Sequence, residues 1–184
     1  MKTAISMCAV IACAAFAVAQ DAVRSRPMDQ MHGGCGNYAI DLKTEMQLMS
    51  RKPVEVSAAI VAREAPPVQT SSALLVALRP QSQVHFAVPP AQDRGSPDKR
   101  AGLLLLGTLS PGDWRVSADS FAWIDMAASG TLLPSPSFEM QTGCATIFKT
   151  VVFHVSEATP TILQINGVSS PSMRLLITPV KRAR

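Results

Sequence analysis

The sequence predicts a mainly β protein: one antiparallel β-sandwich domain, jelly-roll-like, with a single amphipathic helix packed on it near the N-terminus. Three observations predict it. From Pro53 onward, short β-rich runs alternate with turn residues at strand-like intervals. Several runs alternate apolar and polar residues with a period of two. Before Pro53, one stretch carries the spacing of a helix.

The helix comes first. Tyr38, Leu42, Met46 and Met49 recur every three to four residues, while Lys43, Glu45 and Gln47 lie off that stripe. Asn37 is the expected N-cap and Asp41 sits in the first turn. Arg51 and Lys52 suit the negative end of the helix dipole, and Pro53 stops it. These signals place the helix over about 37–51.

Nine strands follow: Val54 to Val61, Ala73 to Leu78, Val84 to Val88, Gly102 to Leu109, Asp113 to Ala118, Phe121 to Met126, Ala145 to Val155, Thr161 to Asn166 and Met173 to Thr178. Breakers separate them, among them Pro66-Pro67, Pro89-Pro90, Ser110-Pro111-Gly112 and Asn166-Gly167. In 145–155, Ile147, Val151, Phe153 and Val155 share one face, yet Phe148 and Val152 make the other apolar too. Such a strand is central or covered, and the helix is the expected cover. Residues 91–100 read as an exposed loop. No internal repeat or second domain is evident, so the domain spans 35–180 behind a flexible lead-in at 20–34.

The first 19 residues read as a secretory signal peptide. Lys2 gives the positive start, Thr3 to Phe16 are uncharged and largely apolar, and Ala17-Val18-Ala19 places cleavage after Ala19. The apolar run is short of the roughly 20 residues a spanning helix needs. A lipoprotein-type cleavage at Cys13 is the alternative, opposed by the apolar residues that continue past it. The chain is therefore expected in the periplasm or outside the cell.

Cleavage would remove Cys8 and Cys13 and leave Cys35 and Cys144. Two cysteines in an oxidising compartment are expected to form one disulfide. They stand 109 residues apart. The bridge would tie the start of the helix to the start of the 145–155 strand. The formal net charge is +4. The basic residues are scattered apart from the tail at 181–184, and no basic stripe with aromatics suggests nucleic acid.

No specific catalytic constellation appears. His32, His85 and His154 are far apart, and there is no GxSxG elbow, P-loop or GxGxxG. Two weaker sets stand out. Met28, Met31 and His32, close to Cys35, offer soft ligands of the kind that suit Cu(I). Asp125 lies beside Trp123 on an apolar strand with Lys149 as its expected charge partner, a poised acid or a structural carboxylate.

The run Pro111-Gly112-Asp113-Trp114-Arg115-Val116, then Ala122-Trp123-Ile124-Asp125, then Phe138 and Gly143-Cys144-x-x-Ile147-Phe148-Lys149-x-Val151-x-Phe153, resembles a family of small exported Gram-negative bacterial proteins. The resemblance covers most of the mature chain and brings no activity with it. Its motif residues, Trp114, Trp123, Asp125 and Lys149 included, are structural in type. Members of the group are sometimes called homogentisate 1,2-dioxygenase. That activity uses a His-Glu-His iron site in a longer cytoplasmic chain, and three scattered histidines behind a signal peptide do not supply it.

The expectation is thus an exported, non-enzymatic, monomeric protein of the cell envelope, without a cofactor, that binds an envelope protein or a glycan. Few aromatics (5%) disfavour a glycan, and burial of both tryptophans would exclude it. The alternatives are an enzyme whose site assembles from distant strands and a Cu(I)-handling protein.

Overall fold

The computed structural model describes residues 30–180. The expected signal peptide with its cleavage after Ala19 and the alternative at Cys13, most of the expected lead-in, Met28 and the basic tail lie outside them. The described chain holds one α-helix, α1 (Lys43–Met49), and eleven strands. These are β1 (Val54–Ser57), β2 (Leu74–Ala77), β3 (Arg79–Pro80), β4 (Arg100–Leu109), β5 (Gly112–Ala118), β6 (Trp123–Ala128), β7 (Thr131–Leu132), β8 (Ser137–Met140), β9 (Lys149–Val155), β10 (Thr159–Val168) and β11 (Ser172–Pro179). They form two sheets. The first runs β1-β2-β11-β5-β9-β8 and the second β3-β4-β10-β6-β7.

The arrangement is sandwich-like, because one apolar core draws on both sheets. Period-two alternation sends Trp114, Val116 and Ala118 of β5 and Val151, Phe153 and Val155 of β9 inward from the first sheet. Leu104 and Leu106 of β4, Ile124 and Met126 of β6 and Leu163 and Ile165 of β10 meet them from the second. In β4 the ladder with β10 skips Leu106, and Gly107 stands at this bulge with φ 69°. Only glycine takes that conformation without strain.

Both outer faces are covered, the first by α1 and irregular chain and the second by irregular chain, rather than by more sheet. On the first sheet, Leu176 of β11 packs with Leu42 and Met49, and the cluster also holds Ile147 and Cys144. Glu139 and Gln141 hold the strap 33–39 there. The Ala39 amide donates to Glu139, and the Gly33 amide and the Asn37 side-chain amide donate to Gln141 Oε1. On the second sheet, Ala101 and Leu103 pack under Ala65 and Val84.

The structure corrects several expectations. The helix begins at Lys43, two residues past Asp41, not at Asn37. Cys35–Asn37 form a single 3-10 turn and Tyr38 is extended. Here the chain is tied down by tertiary contacts: the Gly33 and Ala39 amides and the Asn37 side chain bond to Gln141 and Glu139. Asp41 Oδ1 accepts from the Lys43 amide at the true start. Arg174 donates to the carbonyls of Met49 and Arg51 at the other end, where the dipole favours a cation. Glu45, expected off the buried stripe, is buried.

β1 pairs with β2 in parallel, so the first sheet is not wholly antiparallel. The chain between them crosses to the other sheet, bridging Ala59 to Leu103 and Pro67 to Leu105, and a crossover returns a strand in the same direction. Val84 to Val88 is not a strand. Its His85 amide bonds to Ile60, and its Val88 amide bonds to a side chain instead of a ladder. β9 begins only at Lys149. Ile147, expected on the face of Val151, belongs instead to the helix-side cluster. Three short strands, β3, β7 and β8, were not expected. They are two to four residues long and carry too few alternations to register as a pattern.

Candidate functional site

The most distinctive cluster of charge and aromatic surface forms where the β5–β6 link closes one end of the two sheets. Lys149, first residue of β9, pairs with Ala118 and Met140 across the sheet. It shares the inward register of Val151, so its stem is covered, and the residue is 6% exposed. Its Nζ donates to the Ala122 carbonyl at 2.8 Å. Three rings surround the ammonium: Trp123 at 5.2 Å, Phe121 at 5.7 Å and Phe138 at 5.8 Å to the centroids. Ring faces attract a cation. Burial nevertheless pushes the Lys149 pKa down to about 8, with Arg94 adding to the fall and Asp125 opposing it.

Trp123 presents its ring to a second cation, Arg94, at 5.7 Å. Its Nε1 donates to Asp125 Oδ1 at 3.1 Å. Asp125 Oδ2 accepts from the Ala91 amide at 3.2 Å. The expected Asp125–Lys149 contact is therefore replaced by these two bonds, and the charges interact only through space. Burial raises the Asp125 pKa against the pull of both bonds and of Lys149.

Asp125 belongs to a row of outward side chains on the second sheet. Gln164 donates to the Val88 carbonyl and accepts from the Val88 amide; Asn166 accepts from the Arg94 amide and donates to the Gln92 carbonyl. Gln81 accepts from the Gly167 amide at 2.8 Å. These residues pin the covering segment 81–95, and Asp125 is one fastener among them. The carboxylate thus has a structural task, whereas the surface it helps build is aromatic.

That surface is the exposed part. Phe121 is 46% exposed and Phe138 41%, two of the four large apolar side chains open to water among the described residues. Trp123 is half-buried, while Trp114 is buried with Nε1 donating to Ser110 O. One tryptophan thus remains open to a ligand. An amine that loses its proton near pH 8 could attack a carbonyl. Here the amine is covered, and the rings and Arg94 are what a ligand would meet.

The other anticipated residues lie elsewhere. Cys35 and Cys144 are joined in a disulfide, with Cα atoms 4.5 Å apart. Met31 is buried, and its carbonyl accepts from the amide and hydroxyl of Thr142. His32 Nδ1 lies 2.7 Å from the same hydroxyl. That hydroxyl's proton is already given to Met31, so His32 Nδ1 is the donor. Of the copper set, then, Met31 and His32 stitch the strap to Thr142. Among the described residues no group of three or more His, Cys, Asp or Glu is placed to hold a metal.

One acid–base contact did assemble across strands. His154 Nδ1 and Asp113 Oδ1 are 2.7 Å apart on the outer face of β5 and β9. The His154 side chain is 45% exposed. A buried ion pair also appeared that the sequence analysis missed. Arg115 of β5 donates to Glu45 of α1 at 2.7 Å. Its one signal was an arginine at an alternate, outward position in a strand whose other face is core.

Comparison of the chain with protein-family models, with curated proteins and with solved structures found no match.

Proposed function

We propose that the chain is an exported protein of the cell envelope that works by binding, and that its contact surface is the aromatic end around Lys149. The observation that carries this reading is the exposure of Phe121 and Phe138 beside Trp123, with Lys149 and Arg94 facing the same indole. Exposed rings at a common site are costly to leave in water and are typical of contact surfaces. The Asp125 row, by contrast, is occupied in holding the fold.

The ligand class is an acidic glycan. Lys149 and Arg94 repel each other across Trp123, and Asp125 supports the Lys149 ammonium against burial. A carboxylate on the ligand relieves that repulsion, while the rings supply flat apolar faces for sugar. The jelly-roll-like description is part of the same reading. The strand orders β2-β11-β5-β9 and β4-β10-β6-β7 support it, with successive strands crossing between sheets as in two Greek keys. Export is supported by the disulfide, which persists in oxidising compartments. Among the described residues, no helix is long and apolar enough to cross a membrane.

The test is titration of the mature protein with a soluble polyuronate, followed by tryptophan fluorescence. The expected result is saturable, salt-weakened binding that a neutral dextran does not reproduce and that Phe121→Ala/Phe138→Ala abolishes. Equal binding by the double variant, or none by the wild type, refutes the reading. Capture of a single envelope protein by the patch would replace the glycan with a protein partner.

A further inference from the structure

A second site lies away from the aromatic end, on the helix side of the first sheet. A cleft of about 480 Å³ opens between α1 and the ends of β5 and β11. Its walls include Ile40, Leu48 and Val180, and its charged groups are Asp41, Glu45 and Arg115. This volume is in the range of small-molecule sites.

Arg115 is 8% exposed, and only part of its guanidinium is matched. Nη1 donates to Glu45 Oε1, which also accepts from Thr178 Oγ1 at 3.2 Å. Nε is buried with no partner. No hydrogen bond reaches Nη2 from the described residues, and unlike Nε it is not sealed from solvent. A buried N–H without an acceptor is costly and rare in native proteins. The Nε–Nη2 edge is also the one that grips a carboxylate with two parallel bonds. A carboxylate in the cleft meets the guanidinium at Nη2, its open and unmatched nitrogen, and sets its charge against the half of Arg115 that Glu45 leaves unpaired.

The acids decide what else the ligand carries. Glu45 Oε2 accepts no bond from the described residues, and Asp41 lies on the same cleft. A plain carboxylate would face both acids with no positive group of its own. A plain amine would leave the Arg115 edge empty. A molecule with both charges on neighbouring atoms satisfies both, and the apolar walls leave room for an aliphatic group.

We infer that this cleft binds a free α-amino acid with an aliphatic side chain, its carboxylate on Arg115, its ammonium on Glu45 and Asp41, and its side chain against Ile40, Leu48 and Val180. This inference is independent of the glycan reading and concerns a different face.

The test uses the oxidised full mature chain and L-leucine. The Arg115 Nε–H cross-peak is followed by NMR, and affinity is measured by calorimetry. Leucine should shift that cross-peak in a saturable way. 4-Methylpentanoate, lacking the ammonium, and 3-methylbutylamine, lacking the carboxylate, should each bind at least about ten-fold more weakly, the worth of one lost charged contact. Thr44→Phe, at an exposed helix position on the rim, should weaken leucine about ten-fold while leaving the melting temperature unchanged. An unmoved Arg115 cross-peak at millimolar leucine overturns the inference. So does a carboxylate that binds as well as leucine, or full affinity in Thr44→Phe.

Discussion

Lys149 gives the sharpest quantitative expectation. Its pKa falls from 10.5 to about 8 on folding, because burial disfavours the ammonium more than Asp125 supports it. The unfolded chain therefore holds this proton more tightly than the folded one. Stability must rise with pH wherever the unfolded lysine is protonated and the folded one is not, that is from about pH 8 toward 10.5. For these two values the gain between pH 7 and pH 10 is about 2–3 kcal/mol. Tyr38 acts in the opposite sense. Burial, with Glu139 adding to it, holds its phenol well above the usual range. Folding then loses stability as pH rises above the unfolded phenol's pKa near 10. Comparison with Lys149→Met separates the two. The variant keeps the Tyr38 effect, removes the buried cation and leaves the Ala122 carbonyl without its donor. Urea unfolding of both proteins at pH 7, 8, 9 and 10 is the assay. The wild type should gain on the variant by about 2–3 kcal/mol across this range. Parallel curves would refute the reasoning, as would a Lys149 that titrates near 10 by NMR.

Three further outcomes follow from the packing. Cys35→Ser/Cys144→Ser opens a link between residues 109 apart, and chain entropy puts the loss at about 4–5 kcal/mol; denaturant unfolding without reductant measures it, and a loss under about 1 kcal/mol would refute the chain-entropy account of this link. Glu45→Ala leaves Arg115 buried without its counter-charge and should cost about 3–5 kcal/mol by the same assay, whereas Glu45→Gln keeps an acceptor and should cost less. Gln164→Ala removes both bonds to Val88, so hydrogen exchange at the Val88 amide should speed by about ten-fold or more while exchange in the first sheet stays unchanged.

Much of this protein was legible in its residues. The period-two alternation of Trp114, Val116 and Ala118, and of Met173, Leu175 and Ile177, places their apolar side chains in the common core. Breakers such as Ser110-Pro111 and Asn166-Gly167 fall where strands end or bulge. Tyr38, Leu42, Met46 and Met49 do pack as one cluster although the helix begins late. These features rest on local periodicity, which the chain carries without knowing its partners.

What only tertiary structure decided depends on partners far away in sequence. The strap 33–39 is held in irregular form by Glu139 and Gln141, about a hundred residues on, which take its amides. Val84 to Val88 is drawn off the ladder by Gln164. Asp125 bonds to Ala91 and Trp123 instead of meeting Lys149, because segment 81–95 lies over it. The ring cluster needs Phe121 from a link, Trp123 from one sheet and Phe138 from the edge of the other. Sequence determined which residues want burial and with what period. The fold decided which polar groups meet, since a hydrogen bond or ion pair is settled by the geometry of two segments at once.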